Sequence, residues 1–194
     1  MRIFVVSKGD SLYSIARKFG VSPTELSYIN ALSDPDRLTV GQTLVIPGGS
    51  APQGQIEVNG YAYPNISDTV LSEALPYMTF LCPFSWHIDA AGGITPVDDK
   101  RMISRAYETA TAPMLTLTNI GTSGGFSSDI AHAIFTDDAA QTTLIDNILA
   151  ALRSRGYYGV NLNIEYVYPF DRAGYNAFLK KLSETLHPKG YYLT

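Results

Sequence analysis

The chain has 194 residues, 14 Lys+Arg against 18 Asp+Glu and a formal net charge of −4, with 45% hydrophobic and 16% charged residues. That balance excludes disordered, collagen-like and coiled-coil chains. A mildly acidic chain without a basic run is a poor match for nucleic acid, and no apolar run reaches the ~20 residues that span a bilayer.

The start, Met1-Arg2-Ile3-Phe4-Val5-Val6, reaches the polar Ser7-Lys8-Gly9-Asp10 before an apolar leader core of roughly 7–15 residues could form, so no signal peptide is expected. Cys82 stands alone, which leaves no internal disulfide framework and no cysteine zinc cluster. Ile3–Val6 is rich in β-branched residues and predicts a first strand. Ser11 is placed as an N-cap, followed by Leu12, Ile15, Ala16 and Phe19 at helical spacing, with Gly20 ending the helix. Ser22-Pro23-Thr24-Glu25 reads as a capping box with Pro at N1, ahead of Leu26 and Ile29. Thr43–Ile46 closes the module as a second strand, giving the order β-α-α-β over residues 1–48.

The spacing of Val6-x-Lys8-Gly9-Asp10-Ser11-Leu12-x-x-Ile15-Ala16, then Asn30, then Leu38-x-Val40-Gly41-Gln42-x-Leu44-x-Ile46-Pro47 resembles a LysM domain. The resemblance implies binding of N-acetylglucosamine glycans, in peptidoglycan or chitin. The implied groove has Gly9, Asp10, Ser11 and Leu12 on one side and Ala31, Leu32, Asp34 and Pro35 on the other. Read from the residues alone, Gly9 and Asp10 build a turn and Ser11 caps a helix.

The stretch Pro47-Gly48-Gly49-Ser50-Ala51-Pro52-Gln53-Gly54-Gln55 has three glycines, two prolines and no charge, and a linker is expected at 49–57. Residues 1–48 carry five Lys+Arg and four Asp+Glu, whereas the remainder carries nine and fourteen, so the acidity belongs to the second part. From Val58 onward strand and helix patterns alternate. Strands are expected at 58–63, 79–84, 114–119 and 159–167, with another beginning at 191–194. Helical patterns cover 100–110, the stripe Leu144, Ile145, Ile148, Leu149 and Leu152, and the stripe Phe178, Leu179, Leu182 and Leu186. The last of these is expected to be capped by Asp171 and stopped at His187-Pro188-Lys189-Gly190. Alternating β and α units predict an α/β fold with a parallel sheet. An eight-fold barrel needs about 250 residues; residues 58–194 supply 137, so the expectation is roughly the first half of a (β/α)8 barrel, with a doubly wound sheet as the structural competitor.

The chemistry concentrates in Tyr157-Tyr158-Gly159-Val160-Asn161-Leu162-Asn163-Ile164-Glu165-Tyr166-Val167. On a strand Asn161, Asn163 and Glu165 share one face, and Leu162 and Ile164 the other. Polar residues facing a barrel interior are costly unless paired or used. An ion-paired or edge-exposed Glu165 is the alternative at this level. His87 is expected in a loop, and no cofactor or metal is implied by any phosphate loop or histidine spacing.

This segment is similar to the D-x-x-D-x-D-x-E signature of family 18 glycoside hydrolases, within the bacterial spore-cortex N-acetylglucosaminidase branch. Val58-Asn59-Gly60-Tyr61, Pro83-Phe84-Ser85-Trp86, Pro113-Met114-Leu115 with Asn119, and Gly125-Phe126-Ser127-Ser128-Asp129 carry the rest of the likeness. The resemblance implies a hydrolase acting on spore-cortex peptidoglycan by substrate-assisted, retaining catalysis. Glu165 falls on the family's acid and Asn163 on the acetamido-positioning aspartate; Tyr158 and Asn161 stand at the other two aspartate positions. Asn161, Tyr61, Phe84, Trp86 and Asn119 are the candidates for a sugar subsite, core packing being the alternative for each. The implied partner is a peptidoglycan or chitin-type glycan, with no obligate protein partner, in the spore coat, cortex or wall of a spore-forming bacterium. Loss of the three aspartates keeps a second reading open, a glycan-binding protein that does not cleave.

Overall fold

A computed structural model describes residues 2–48 and 54–194; most of the expected linker at 49–57 lies outside the described residues. The chain divides into two compact units, 1–56 and 57–194.

In the first unit, β1 (Arg2–Val5) and β2 (Thr43–Ile46) pair antiparallel, with Arg2 opposite Ile46, and α1 (Leu12–Phe19) and α2 (Pro23–Ile29) pack beside them. Val6, Ile15, Ala16, Leu26, Leu44 and Ile46 form the core. Ser11 caps α1, and the reciprocal capping box closes through Ser14: Ser14 N donates to Ser11 Oγ at 3.1 Å and Ser11 N to Ser14 Oγ at 2.9 Å. The box expected at Ser22–Glu25 is only half made, with Glu25 N donating to Ser22 Oγ at 3.5 Å. Gly20 sits at φ 68°, the left-handed conformation that ends α1 where a Cβ would be strained.

Asn30 closes this unit with its side chain. Its Nδ2 donates to the carbonyls of Leu26 and Val45, both at 2.8 Å, and its Oδ1 accepts from Val45 N at 2.7 Å. The carboxamide thus stands in for a peptide group beside β2.

The second unit is built on a parallel run of β3 (Asn59–Ala62), β4 (Phe80–Pro83), β7 (Ala112–Thr118), β8 (Gly159–Asn163) and β9 (Tyr192–Leu193). Its order follows the chain without reversal. A doubly wound sheet reverses at its switch point, so this order separates the barrel-type path from that competitor. Helices α3 (Asp68–Ala74), α4 (Lys100–Glu108), α5 (Ser128–Thr136), α6 (Asp138–Arg155) and α7 (Arg172–Leu186) lie between the strands in sequence. The short α3 and α5 were not legible as helical stripes; each is fixed by a serine N-cap, Ser67 and Ser127.

Alternation along the strands sorts the two faces. Leu81, Leu115, Leu117 and Val160 pack outward among helix residues such as Met102, Leu144, Ile148 and Phe178. Phe80, Cys82 and Met114 cluster on the other face. That face is concave: the Tyr61 hydroxyl on β3 donates to Asn161 Oδ1 on β8 at 3.0 Å, although β4 and β7 lie between them in the sheet. Strands spaced ~4.8 Å apart would hold these side chains well separated in a flat sheet, so the sheet curls as a barrel wall does.

After β4 the chain continues as β5 (Trp86–Ile88), which pairs with the far end of β7 and turns into the antiparallel β6 (Ile94–Thr95). His87 therefore lies on a strand, contrary to the loop expected for it. The expected helix at 100–110 ends at Glu108. Asp171 stands at the N-cap position of α7 but makes no capping bond; its carboxylate is taken by His132 Nδ1 at 2.8 Å.

Candidate functional site

The polar row of β8 divides at its end. The strand stops at Asn163, two residues short of Glu165, where an extended run to 167 was expected. Glu165 is exposed rather than buried, and Tyr166 turns the chain at φ 54°. A left-handed tyrosine is strained and needs its surroundings to hold it.

Asn119 and Ser128 supply that hold. Fully buried at the end of β7, Asn119 donates from Nδ2 to Ser127 O at 2.8 Å and to Glu165 O at 2.9 Å, and its Oδ1 accepts from Glu165 N at 3.0 Å. The regular pairing of β7 with β8 ends at Thr118 and Asn163. The carboxamide adds one more rung and fixes the peptide of Glu165 in space. Ser128 Oγ donates to Tyr166 O at 2.6 Å.

Asn163 and Glu165 line a cleft of about 440 Å³ with Tyr61, Ala62, Tyr63 and Phe84. Phe84 meets Tyr61 edge-on at 6.0 Å and Tyr63 at 5.6 Å, so the aromatic wall is braced by its own contacts. The cleft stands at the carboxyl ends of β3, β4 and β8, where parallel α/β sheets place their ligand sites. Of the predicted residues, the structure gathers Tyr61, Phe84, Asn163 and Glu165. Tyr63 was missed; it lies two residues beyond Tyr61, a period-2 signal that could have found it.

Three predicted subsite residues lie elsewhere. Trp86 is 5% exposed and packs on the helix side of the sheet. Its Nε1 donates to Asp99 Oδ2 at 2.6 Å, the Tyr157 hydroxyl donates to the same oxygen, and Arg155 reaches Asp99 Oδ1 at 3.1 Å. Burial and the Asp99 carboxylate hold the Tyr157 hydroxyl well above its ordinary pKa. Asn161 is buried with both ends of its amide used, by Tyr61 and by Thr194 Oγ1 at 3.0 Å. Asn119 spends its amide on the backbone. These two brace the site's walls.

The first unit carries a groove of about 810 Å³. Of the residues expected to bind glycan, Ser11, Leu12, Ala31, Leu32 and Pro35 are in its lining, and Asp36 stands there instead of Asp34. Gly9 and Asp10 fall outside it: Asp10 accepts from Ser7 N at 2.8 Å and Gly9 turns at φ 91°, so both build the bend. Asp34 accepts from Asp36 N within its own turn. The exposed Tyr13 and Tyr28, unforeseen, flank the groove. Among the described residues no three His, Cys, Asp or Glu side chains gather as a metal ligand set.

Comparison with known proteins agrees with both units. Residues 4–47 match the LysM domain family. The chain is 34% identical to the cortical fragment-lytic enzyme of Bacillus anthracis, covering 100% of this chain and 57% of that protein. The crystal structure of the Bacillus cereus spore cortex-lytic enzyme SleL superposes with a TM-score of 0.69 at 32% identity, over 100% of this chain and 46% of that one. A chitinase of Chromobacterium violaceum shares the fold of the second unit, with a TM-score of 0.63 and 24% identity over 71% of this chain and 44% of the other. The chain thus consists of a LysM domain and an α/β unit, and along its length it is homologous to spore cortex-lytic enzymes. It spans about half the length of the curated relatives it matches.

Proposed function

We propose that this chain provides the wall anchor and the acid-bearing half of a glycoside hydrolase that cleaves N-acetylglucosaminyl bonds in spore-cortex peptidoglycan. One observation carries the reading: Asn163 and Glu165 face a single cleft with the aromatic wall of Tyr61, Tyr63 and Phe84. In it Glu165 protonates the leaving glycosidic oxygen and then, as carboxylate, activates the water that completes the reaction with retention. The substrate's own acetamido oxygen attacks the anomeric carbon to give an oxazolinium. Asn163 accepts a hydrogen bond from the acetamido N–H, holding that group in line but without the charge an aspartate would set against the developing cation. The aromatic wall stacks on the apolar face of the sugar. The LysM groove between Leu12 and Leu32 keeps the chain on the glycan, raising the local substrate concentration. The site of action is the cortex or wall of a spore-forming bacterium. The relatives extend well past the residues of this chain, and in this reading turnover needs a barrel wall closed around the cleft.

A second reading is favoured by Asn163 itself: with a neutral amide beside the acid, the cleft holds glycan without cutting it. Cortex fragments incubated with the protein carrying all eight strands, native or Glu165→Gln, decide between the two. New N-acetylglucosamine ends that vanish in the variant support hydrolysis; bound but uncut glycan with native protein supports the second reading.

A further inference from the structure

Tyr63 lines the cleft from just beyond the sheet. The register of β3 with β4 ends at Ala62 and Pro83, and Tyr63 is the first residue past it. Its side chain is exposed and meets Phe84 by its edge. The backbone that follows is a turn, closed by Ile66 N donating to Tyr63 O at 3.0 Å. Whatever fixes that turn also fixes the direction in which the ring leaves the chain.

One side chain from another helix grips it. Arg101 on α4 donates from Nη2 to Pro64 O at 3.1 Å and to Ile66 O at 2.7 Å. Its Nη1 donates to the Asp68 carboxylate in the first turn of α3. Three acceptors from five consecutive residues thus converge on a single planar fork, which sets direction as well as distance. The turn has an apolar hold too: Ile66 rests on the cluster of Leu71, Leu75 and Met102. Hydrophobic contact is non-directional, so it keeps the turn on the helices without choosing its orientation. Arg105, one helical turn further along α4, is the contrast within the same helix. It donates to Ser72 Oγ and to Glu108, each at 2.7 Å, and so ties α4 to α3 without a bond to the turn.

We propose that Arg101 is a positioning residue of the cleft: its guanidinium sets the turn at 63–66 and, through it, the orientation in which Tyr63 meets a glycan. The glycan rests on the proposed function; the place of Tyr63 in the cleft wall does not. Without the fork, the ring keeps its edge contact with Phe84 but gains orientations that a ligand must remove, and that ordering weakens binding.

The test has two arms, both on the full chain. Hydrogen exchange of the free chain reads the tether. Arg101→Ala should lower protection of the Ile66 amide about tenfold or more while Leu71 and Leu115 keep theirs. Arg101→Lys, which keeps the charge opposite Asp68 but has no fork, should lose protection as well. Arg105→Ala should leave Ile66 unchanged. Native protection at Ile66 in both Arg101 variants overturns the proposal, and so does equal loss at Leu71 and Leu115. The second arm titrates the Glu165→Gln chain with the trimer of N-acetylglucosamine and follows the Asn163 amide, which reports the cleft apart from the LysM groove. Arg101→Ala should weaken the trimer about fivefold, and Arg105→Ala should not. In a Tyr63→Ala background the Arg101→Ala change should have no further effect, because the two act as one. Additive losses would place the action of Arg101 elsewhere and overturn the proposal. A trimer that leaves Asn163 unmoved in every variant overturns the proposed function instead, and the Ile66 exchange then decides the tether by itself.

Discussion

Asn30 and Asn119 do the same thing to the backbone in two unrelated surroundings. Each donates from Nδ2 to two carbonyls, one of them on a distant residue, and each accepts the N–H of that same distant residue on Oδ1. In the LysM unit the residue held is Val45, in the middle of a strand, and the gain is stability. In the second unit it is Glu165, past the end of its strand, and the gain is the placement of one carboxylate. An identical device serves the fold in one place and the site in the other, because the clamped peptide belongs to a core strand in the first and to a cleft residue in the second.

The comparison breaks first at Asn30→Asp. A carboxylate there faces the Leu26 and Val45 carbonyls with no donor, at a cost of about 3 kcal/mol or more. A unit of this size has roughly 2–7 kcal/mol in hand, so its calorimetric transition should disappear or fall by ~10 °C or more. If the unit melts unchanged, the clamp is not what holds β2. Asn119→Asp carries the same local penalty inside a larger unit, which should stay folded. Its signature is hydrogen exchange: the Glu165 amide should lose protection while Leu115 and Val160 in the ladder keep theirs. Equal loss throughout β7 and β8 would make Asn119 a general structural residue instead of a positioning one.

Cys82 allows the second unit to be followed alone, since it is the sole cysteine and lies in β4. Burial pushes its thiol up to about 11. The folded pKa is thus raised above the unfolded one, which sets the sign: the associated stability is intact below about pH 9 and is lost as pH rises toward 11. Denaturation of the second unit, monitored by thiol labelling, should shift to lower denaturant over that window. A midpoint that does not move with pH would contradict a buried thiol. The smallest effect belongs to Ser11→Ala, which removes the cap of α1 at a cost of about 1 kcal/mol, measurable as a lowered midpoint of the LysM unit only.

Much of the architecture was legible. Gly20, Ser11, Pro23 and the stripe from Leu144 to Leu152 act through local rules of capping and periodicity, so the sequence carries their outcome directly. The site was legible in part. Glu165, Asn163, Tyr61 and Phe84 do share a cleft, but Trp86 and Asn119 do not join it. Trp86 was drawn to the helix side by the buried carboxylate of Asp99, thirteen residues further on, and no local pattern records that meeting. Asp171, placed to cap α7, was taken by His132 from another helix, which a position-by-position reading cannot weigh.

The sequence by itself determined the division into two units, the β-α-α-β order of the first and the strand–helix alternation of the second, because composition, caps and side-chain period act between near neighbours. Tertiary structure decided how the polar residues are used. An amide or a carboxylate has several possible partners of similar strength, and only the folded backbone brings one of them within 3 Å. That choice made Asn119 a clamp, Asn161 a partner of Tyr61, and left Glu165 open to solvent at the mouth of the cleft.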